Sequence, residues 1–140
     1  MISNYQANDF LKRLIGQAGG NEGAVVYLAL STSEPSAAGG GVAEPSAAVN
    51  YARTLVVRKA GNGGEALEIF AEPVNGSTHN VKQISFNKAT GAWGTLRYAA
   101  LMDAKLGGNL LWYGELIDPI APVADEVAII EANNLTLTIT

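Results

Sequence analysis

From residue 24 onward the apolar residues of this chain come in short runs, each bounded within a few positions by Gly, Pro, Asn or Asp. That pattern admits strands joined by turns and leaves little room for helices. Residues 24–31 (AVVYLALS) are apolar on both faces, as expected of a strand in the middle of a sheet. Residues 51–59 alternate less cleanly, and 66–71 put Leu67 and Ile69 opposite Glu68. In 81–86, Ile84 and Phe86 point inward. Residues 95–102 and 109–117 read as two strands joined by a turn carrying Gly107-Gly108. Residues 126–131 form a seventh strand. The eighth, 135–140, is Leu-Thr-Leu-Thr-Ile-Thr, a strict period of two with one dry and one wet face. Asn133-Asn134 reads as the tight turn of a hairpin between the last two. Eight antiparallel strands predict an all-β sandwich, with a jelly roll as the natural eight-strand topology.

Before residue 24 the period is helical. Ser3 and Gln6 have the spacing of a capping box, and Phe10, Leu11, Leu14 and Ile15 form one stripe opposite Asp9, Lys12 and Arg13. Gly16 or the Gly19-Gly20 pair ends the helix. The expected organisation is a single domain over 1–140. An amphipathic helix and turn occupy 1–23, and the sandwich occupies 24–140. Phe10 and Leu14 on the helical stripe are candidates for packing on the sheet or docking on a neighbouring subunit.

Residues 32–50 stand apart. They are rich in Ala, Ser, Gly and Pro and contain the pentapeptide Glu-Pro-Ser-Ala-Ala twice, at 34–38 and 44–48. A loop of this length in a compact domain is functional or disordered, and with no second domain to link, an arm lying across a neighbour is the expectation. Glu34, Pro35, Glu44 and Pro45 are its candidate contact residues, together with Tyr51 and Arg53 where it ends. Arg53 is expected to pair with an acid at the base of the arm and set where the arm leaves the sheet.

Composition excludes several kinds of chemistry. There is no cysteine, hence no disulfide, thiolate metal site or cysteine nucleophile. One histidine cannot build a multi-histidine metal site, and His79 sits in Asn-Gly-Ser-Thr-His-Asn, which reads as an exposed hairpin tip. A net charge of −4 argues against a nucleic-acid footprint. No run approaches the roughly 20 apolar residues of a membrane helix, and the first residues lack the pattern of a signal peptide, so synthesis in a cytoplasm is expected. Asn75-Gly76-Ser77 and Asn134-Leu135-Thr136 match the N-glycosylation pattern, which is silent without secretion. The run from Gly61 to Ala66 matches a loose dinucleotide pattern, but a strand follows it where a helix is needed, so it reads as a β-turn. Asp118, Asp125, Glu126, Glu131 and Glu115 read as solvated acids at strand ends. Trp112 shares a face with Leu110 and Leu116 and is expected in the core. Trp93 and Tyr113 are the candidates for a sugar-stacking platform, with Trp93 weighed against core packing. No catalytic residue, cofactor or metal is expected. With 48% hydrophobic and only 16% charged residues, against about a quarter charged in ordinary domains, part of the surface is expected to be covered by a partner.

Four segments together carry a resemblance. Asn4 to Ile15 precedes Val26-Tyr27-Leu28-Ala29-Leu30-Ser31-Thr32, which runs into Ser33-Glu34-Pro35. The following loop ends in Asn50-Tyr51-Ala52-Arg53. Ile84-Ser85-Phe86 leads to Ala89-Thr90-Gly91-Ala92-Trp93-Gly94-Thr95, and Gly107-Gly108-Asn109-Leu110-Leu111-Trp112-Tyr113-Gly114-Glu115-Leu116 closes the series. In this order, across nearly the whole chain, they resemble the small tail-fibre and head-associated structural proteins of tailed bacteriophages. Residues 97–103 keep that family's aromatic and Asp but lack its glycine. The resemblance implies a β-sandwich subunit of a virion (capsid, neck or tail), homo-oligomeric with a trimer favoured, and bound to other virion proteins. A carbohydrate- or host-receptor-binding module on the same fold is the alternative.

Overall fold

The computed structural model describes residues 25–58 and 67–138. Nine strands occur among them: β1 (Val25–Ser31), β2 (Thr54–Arg58), β3 (Leu67–Glu68), β4 (Ser77–His79), β5 (Ile84–Lys88), β6 (Leu96–Met102), β7 (Leu110–Ile120), β8 (Val127–Ile130) and β9 (Thr136–Thr138). A single turn of 3-10 helix, Ala47–Val49, interrupts the arm. The expected helix, with Phe10 and Leu14, and the expected turn from Gly61 to Ala66 lie outside the described residues.

All pairings are antiparallel. Five strands form one sheet in the order β3-β2-β1-β6-β7, while β4 pairs with β9 and β5 with β8. The inner face of the large sheet carries Val26, Leu28 and Leu30 of β1, with Leu101 and Ala99 opposite Leu28 and Leu30 on β6. These join Ile84 and Phe86 of β5, Ala128 and Ile130 of β8 and Leu137 of β9 in one core. The two strand pairs thus supply the second layer of a sandwich-like fold. Strand β1 is central, as its two-sided apolar pattern demands. On its other face Ala29 meets Ala100, and a smaller cluster adds Met102, Leu110 and Tyr113.

Bulges explain where simple alternation misleads. Between Val26 and Tyr27 the partner register skips Val56, so Val56 and Val57 are both buried. Leu101 faces Trp112 while Met102 faces Leu110, which leaves Leu111 as an extra residue. That residue reverses the parity of β7. Leu116 and Trp112 pack on the main core, whereas Leu110 turns to the opposite face beside Tyr113, contrary to its expected place with Trp112.

The larger correction concerns the second layer. Among the described residues there are nine strands grouped as five, two and two, where eight in a jelly roll were expected, and the last two strands do not form a hairpin. Asn75 (φ 53°) and Gly76 (φ 74°) make a two-residue turn with left-handed backbone at both positions, closed by a Val74–Ser77 bridge. The chain after it is therefore strand β4, and His79 is exposed on that strand, not at the tip. Asn133 does turn (φ 72°), but it sends the chain to β4 instead of back along β8. Asn80 holds that corner. Its side-chain amide donates to the carbonyls of Lys82 (3.0 Å) and Glu131 (2.9 Å), its side-chain oxygen accepts from the Leu135 amide (2.9 Å), and its own carbonyl accepts from the Asn133 amide (2.7 Å). Asn80 is wholly buried, so its own polar atoms must find these partners within the protein.

Replacing Asn80 with Ala leaves the buried Leu135 amide without its acceptor and the Lys82 carbonyl without its donor, while the Glu131 carbonyl keeps the Asn134 amide (3.1 Å). At about 1 kcal/mol for each lost partner, denaturant unfolding of the N80A chain should show a loss of about 2 kcal/mol.

Candidate functional site: the clamped arm

Residues 32–50 fold as a compact arm. Ser31, the buried last residue of β1, accepts the Ala43 amide on its hydroxyl (2.9 Å) and donates to the Ser33 carbonyl (2.7 Å). The Thr32 amide donates to the Ala43 carbonyl (3.1 Å), and the Ser33 hydroxyl to the Gly41 carbonyl (2.7 Å). The tip is closed by the Ser36 amide on the Gly40 carbonyl (2.8 Å). Gly41 is held at φ 80°, and a β-carbon there would stand 3.0 Å from the Glu34 carbonyl, so a side chain fits neither the backbone nor the space.

The two copies of Glu-Pro-Ser-Ala-Ala take different structures. In the first, Glu34 is exposed, Pro35 is buried and Ser36 opens the tip turn. In the second, Glu44 and Pro45 are half-buried, and Ser46 caps the 3-10 turn by accepting the Ala48 amide (3.0 Å). Asn50 ends that turn in the left-handed conformation (φ 67°) and donates its side-chain amide to the Lys88 carbonyl (2.9 Å). The indole N–H of Trp93 donates to the Val49 carbonyl (2.9 Å). Local sequence does not decide these outcomes; the neighbours of each copy do.

A clamp at the arm's base joins Glu44, Tyr51 and Arg53. Arg53 grips Glu44 with two parallel bonds, Nε to Oε1 and Nη2 to Oε2, both 2.9 Å. This is the bidentate geometry that makes arginine–carboxylate pairs strong. Nη1 of Arg53 donates to the carbonyls of Ala104 (2.7 Å) and Gly107 (2.8 Å), in the turn between β6 and β7. Only 7% of the Arg53 side chain is exposed. The Tyr51 hydroxyl donates to Glu44 Oε1 (2.6 Å) and accepts the Leu30 amide (3.1 Å). Leu30 lies beyond the reach of β2, whose pairing with β1 stops at Leu28 and Thr54. The phenol thus supplies the acceptor that a missing strand residue would have given. Its ring meets Trp93 edge-on at 5.3 Å and stacks with Phe86 at 6.5 Å.

The turn that receives Arg53 is itself fixed. Asp103 accepts the Asn109 backbone amide (2.7 Å) and its side-chain amide (3.0 Å). These bonds hold the Asp103 carboxyl below its usual range. Gly108 sits at φ 78°, where a β-carbon would lie 2.5 Å from Asp103 Oδ1.

The electrostatics follow from the contacts. Burial alone would raise the Glu44 carboxyl, but the hydrogen bonds from Arg53 and Tyr51 and the Arg53 charge outweigh it, and the group is held below its usual value. Arg53 is pushed further up by its bonds to Glu44. Burial, reinforced by the bond to Glu44, lifts the Tyr51 phenol far above its ordinary range. All three groups therefore keep their charge states throughout the neutral range.

Of the residues singled out in the sequence, the structure unites Glu44, Tyr51 and Arg53, and the acid that meets Arg53 is the one from the second pentapeptide. Trp93 is 4% exposed within the core, and Tyr113 belongs to the cluster on the opposite face, so the two form no common stacking platform. Asp118, Asp125, Glu126, Glu131 and Glu115 are exposed. The turn carbonyls that complete the clamp went unseen in the sequence, because backbone acceptors leave no residue signature.

Comparison with known families places this all-β, sandwich-like chain among phage fibre proteins. The chain belongs to the podophage GP4 fiber I protein gp80 family, whose model matches residues 1–138. That agrees with the resemblance to tail-fibre proteins and makes the chain a virion component. A search of curated proteins finds no match.

Replacing Arg53 with Ala leaves two turn carbonyls without their donor and the half-buried Glu44 carboxylate with the Tyr51 hydroxyl but no counter-charge. Denaturant unfolding should show a loss of about 2–3 kcal/mol, below the 3–5 kcal/mol of fully buried pairs. Acid should have a related effect. A carboxyl with a lowered folded-state pKa stabilises the fold fully above its unfolded value, near 4.5, and the contribution is lost as pH falls through the folded value. In unfolding curves at pH 7 and pH 3, the stability gap between the native chain and E44Q should therefore narrow at pH 3.

Proposed function

We propose that the chain is a fibre subunit that works through oligomerisation and protein–protein contacts, made in the host cytoplasm and incorporated into the tail structure of the particle. It performs no chemistry of its own in this reading. Family membership supports the virion role. The observation that carries the contact role is the arm. Residues 36–43 (SAAGGGVA) contain no charged side chain, and most of them are exposed. Interface centres are depleted in charge, and a loop held in one conformation before binding loses less entropy on association. The clamp supplies that preorganisation from below, leaving the small residues of the tip free to be covered by a neighbouring subunit. A closed homo-oligomer, with a trimer favoured, satisfies a self-complementary surface of this kind.

Light scattering on the purified chain should therefore report a trimer or larger closed assembly; a monomer at every concentration would contradict the reading. Ala37→Glu and Ala38→Glu place a carboxylate on the exposed tip. Each should weaken the assembly about tenfold or more, about 1.4 kcal/mol, while leaving the unfolding free energy within about 0.5 kcal/mol of the native chain.

A further inference from the structure

A groove of about 370 Å³ runs between the end of β7 and β8, lined by Leu116 and residues 118–120 of β7 with the two residues after it, and by Val127, Ala128, Ile129 and Ile130 of β8. Both strands are sheet edges. Among the described residues, strand β7 is the last of the five and β8 pairs only with β5. The direction of the backbone groups on β8 follows from one bond. The Glu126 carbonyl accepts the Ala89 amide (2.8 Å), so in the alternation of an antiparallel ladder Ala128 and Ile130 turn their amides and carbonyls to β5. Val127 and Ile129 then turn theirs to the groove, where they have no backbone partner among the described residues. The two residues are 45% and 36% exposed. The opposing wall is a poorer template, since Pro119 lacks an amide hydrogen, as edge strands commonly do.

Charge selects the occupant. Among the described residues lining the groove the charged ones are Asp118 and Glu126, both acids, and exposed Glu115 and Glu131 continue that sign on the flanking strand positions. The nearby cation, Lys88, lies 4.0 Å from Asp125 and outside the lining. An open, apolar-floored edge of this kind invites pairing unless something covers it.

We propose that the groove takes an extended segment of a partner protein, apolar at alternate positions and bearing Lys or Arg between them, as a strand added along the free edge of β8. Main-chain bonds to Val127 and Ile129 give this mode its affinity, and the acidic rim gives it its sign. It deepens the assembly reading by naming the chemistry of one partner. The two fail separately: a chain that stays oligomeric but ignores the peptide below loses only the groove, and a monomer that binds the peptide loses only the assembly.

The test is an amide-resolved NMR titration of the full chain with the capped heptapeptide Lys-Val-Lys-Val-Lys-Val-Lys, with Glu-Val-Glu-Val-Glu-Val-Glu as its charge-reversed control. The basic peptide should shift the Val127 and Ile129 amides and slow their hydrogen exchange; the acidic peptide should bind at least tenfold more weakly. Asp118→Lys should weaken the basic peptide at least tenfold and narrow or invert the preference. Ile129→Pro removes a groove-facing amide while sparing the bonds to β5, and should abolish binding. The proposal is overturned by shifts confined to other residues, by equal binding of the two peptides, or by native affinity in Asp118→Lys. Protection of the same amides by self-association without peptide would also overturn it, assigning the edge to a second copy.

Discussion

The bidentate bond between Arg53 and Glu44 is the constraint on which this structure turns. It is nearly buried, it is shared with the Tyr51 hydroxyl, and it reaches two carbonyls of a turn fifty residues further along the chain. A half-buried ion pair of this type contributes little net stability compared with an apolar replacement, but removing one partner is costly. Its effect is to select one conformation. The arm, the end of β1 and the turn between β6 and β7 are brought to a common point, and the small residues of the tip are presented on a hydrogen-bonded base. For a subunit proposed to work through contact, a defined shape counts for more than a perturbed titration.

Around that point the fold satisfies its polar groups by side chains wherever a ladder stops. Tyr51 completes β1 where β2 ends, Ser31 receives the arm as it returns, and Asn80 replaces a whole turn's worth of backbone partners at the corner between β8 and β9. Each lets the chain change layer without leaving a dry donor behind. The result is a small sandwich built from one continuous sheet and two separate pairs, with more irregularity than its strand patterns suggest.

Much of this was legible in the residues. The two-sided apolar run of β1 marks a central strand, Ile84 and Phe86 point inward as alternation requires, and the Tyr-Ala-Arg spacing announces an anchored arm. Other features were not legible, for definite reasons. Bulges at Val56 and Leu111 reverse side-chain parity without any change in composition. Asn80 looks like a turn residue because a buried, fully bonded asparagine and an exposed one are the same letter. Identical pentapeptides cannot say which glutamate meets Arg53, since only the path of the chain decides it. A free strand edge is invisible until the pairing of every strand is known.

The central claim is that the clamped arm of this fibre-family protein is covered by a neighbour in the assembled particle. A cryo-electron microscopy reconstruction of the intact fibre tests it most directly. It should show residues 36–43 packed against an adjoining subunit, with Arg53 still gripping Glu44 beneath them. An arm surrounded by solvent on every copy would contradict the account.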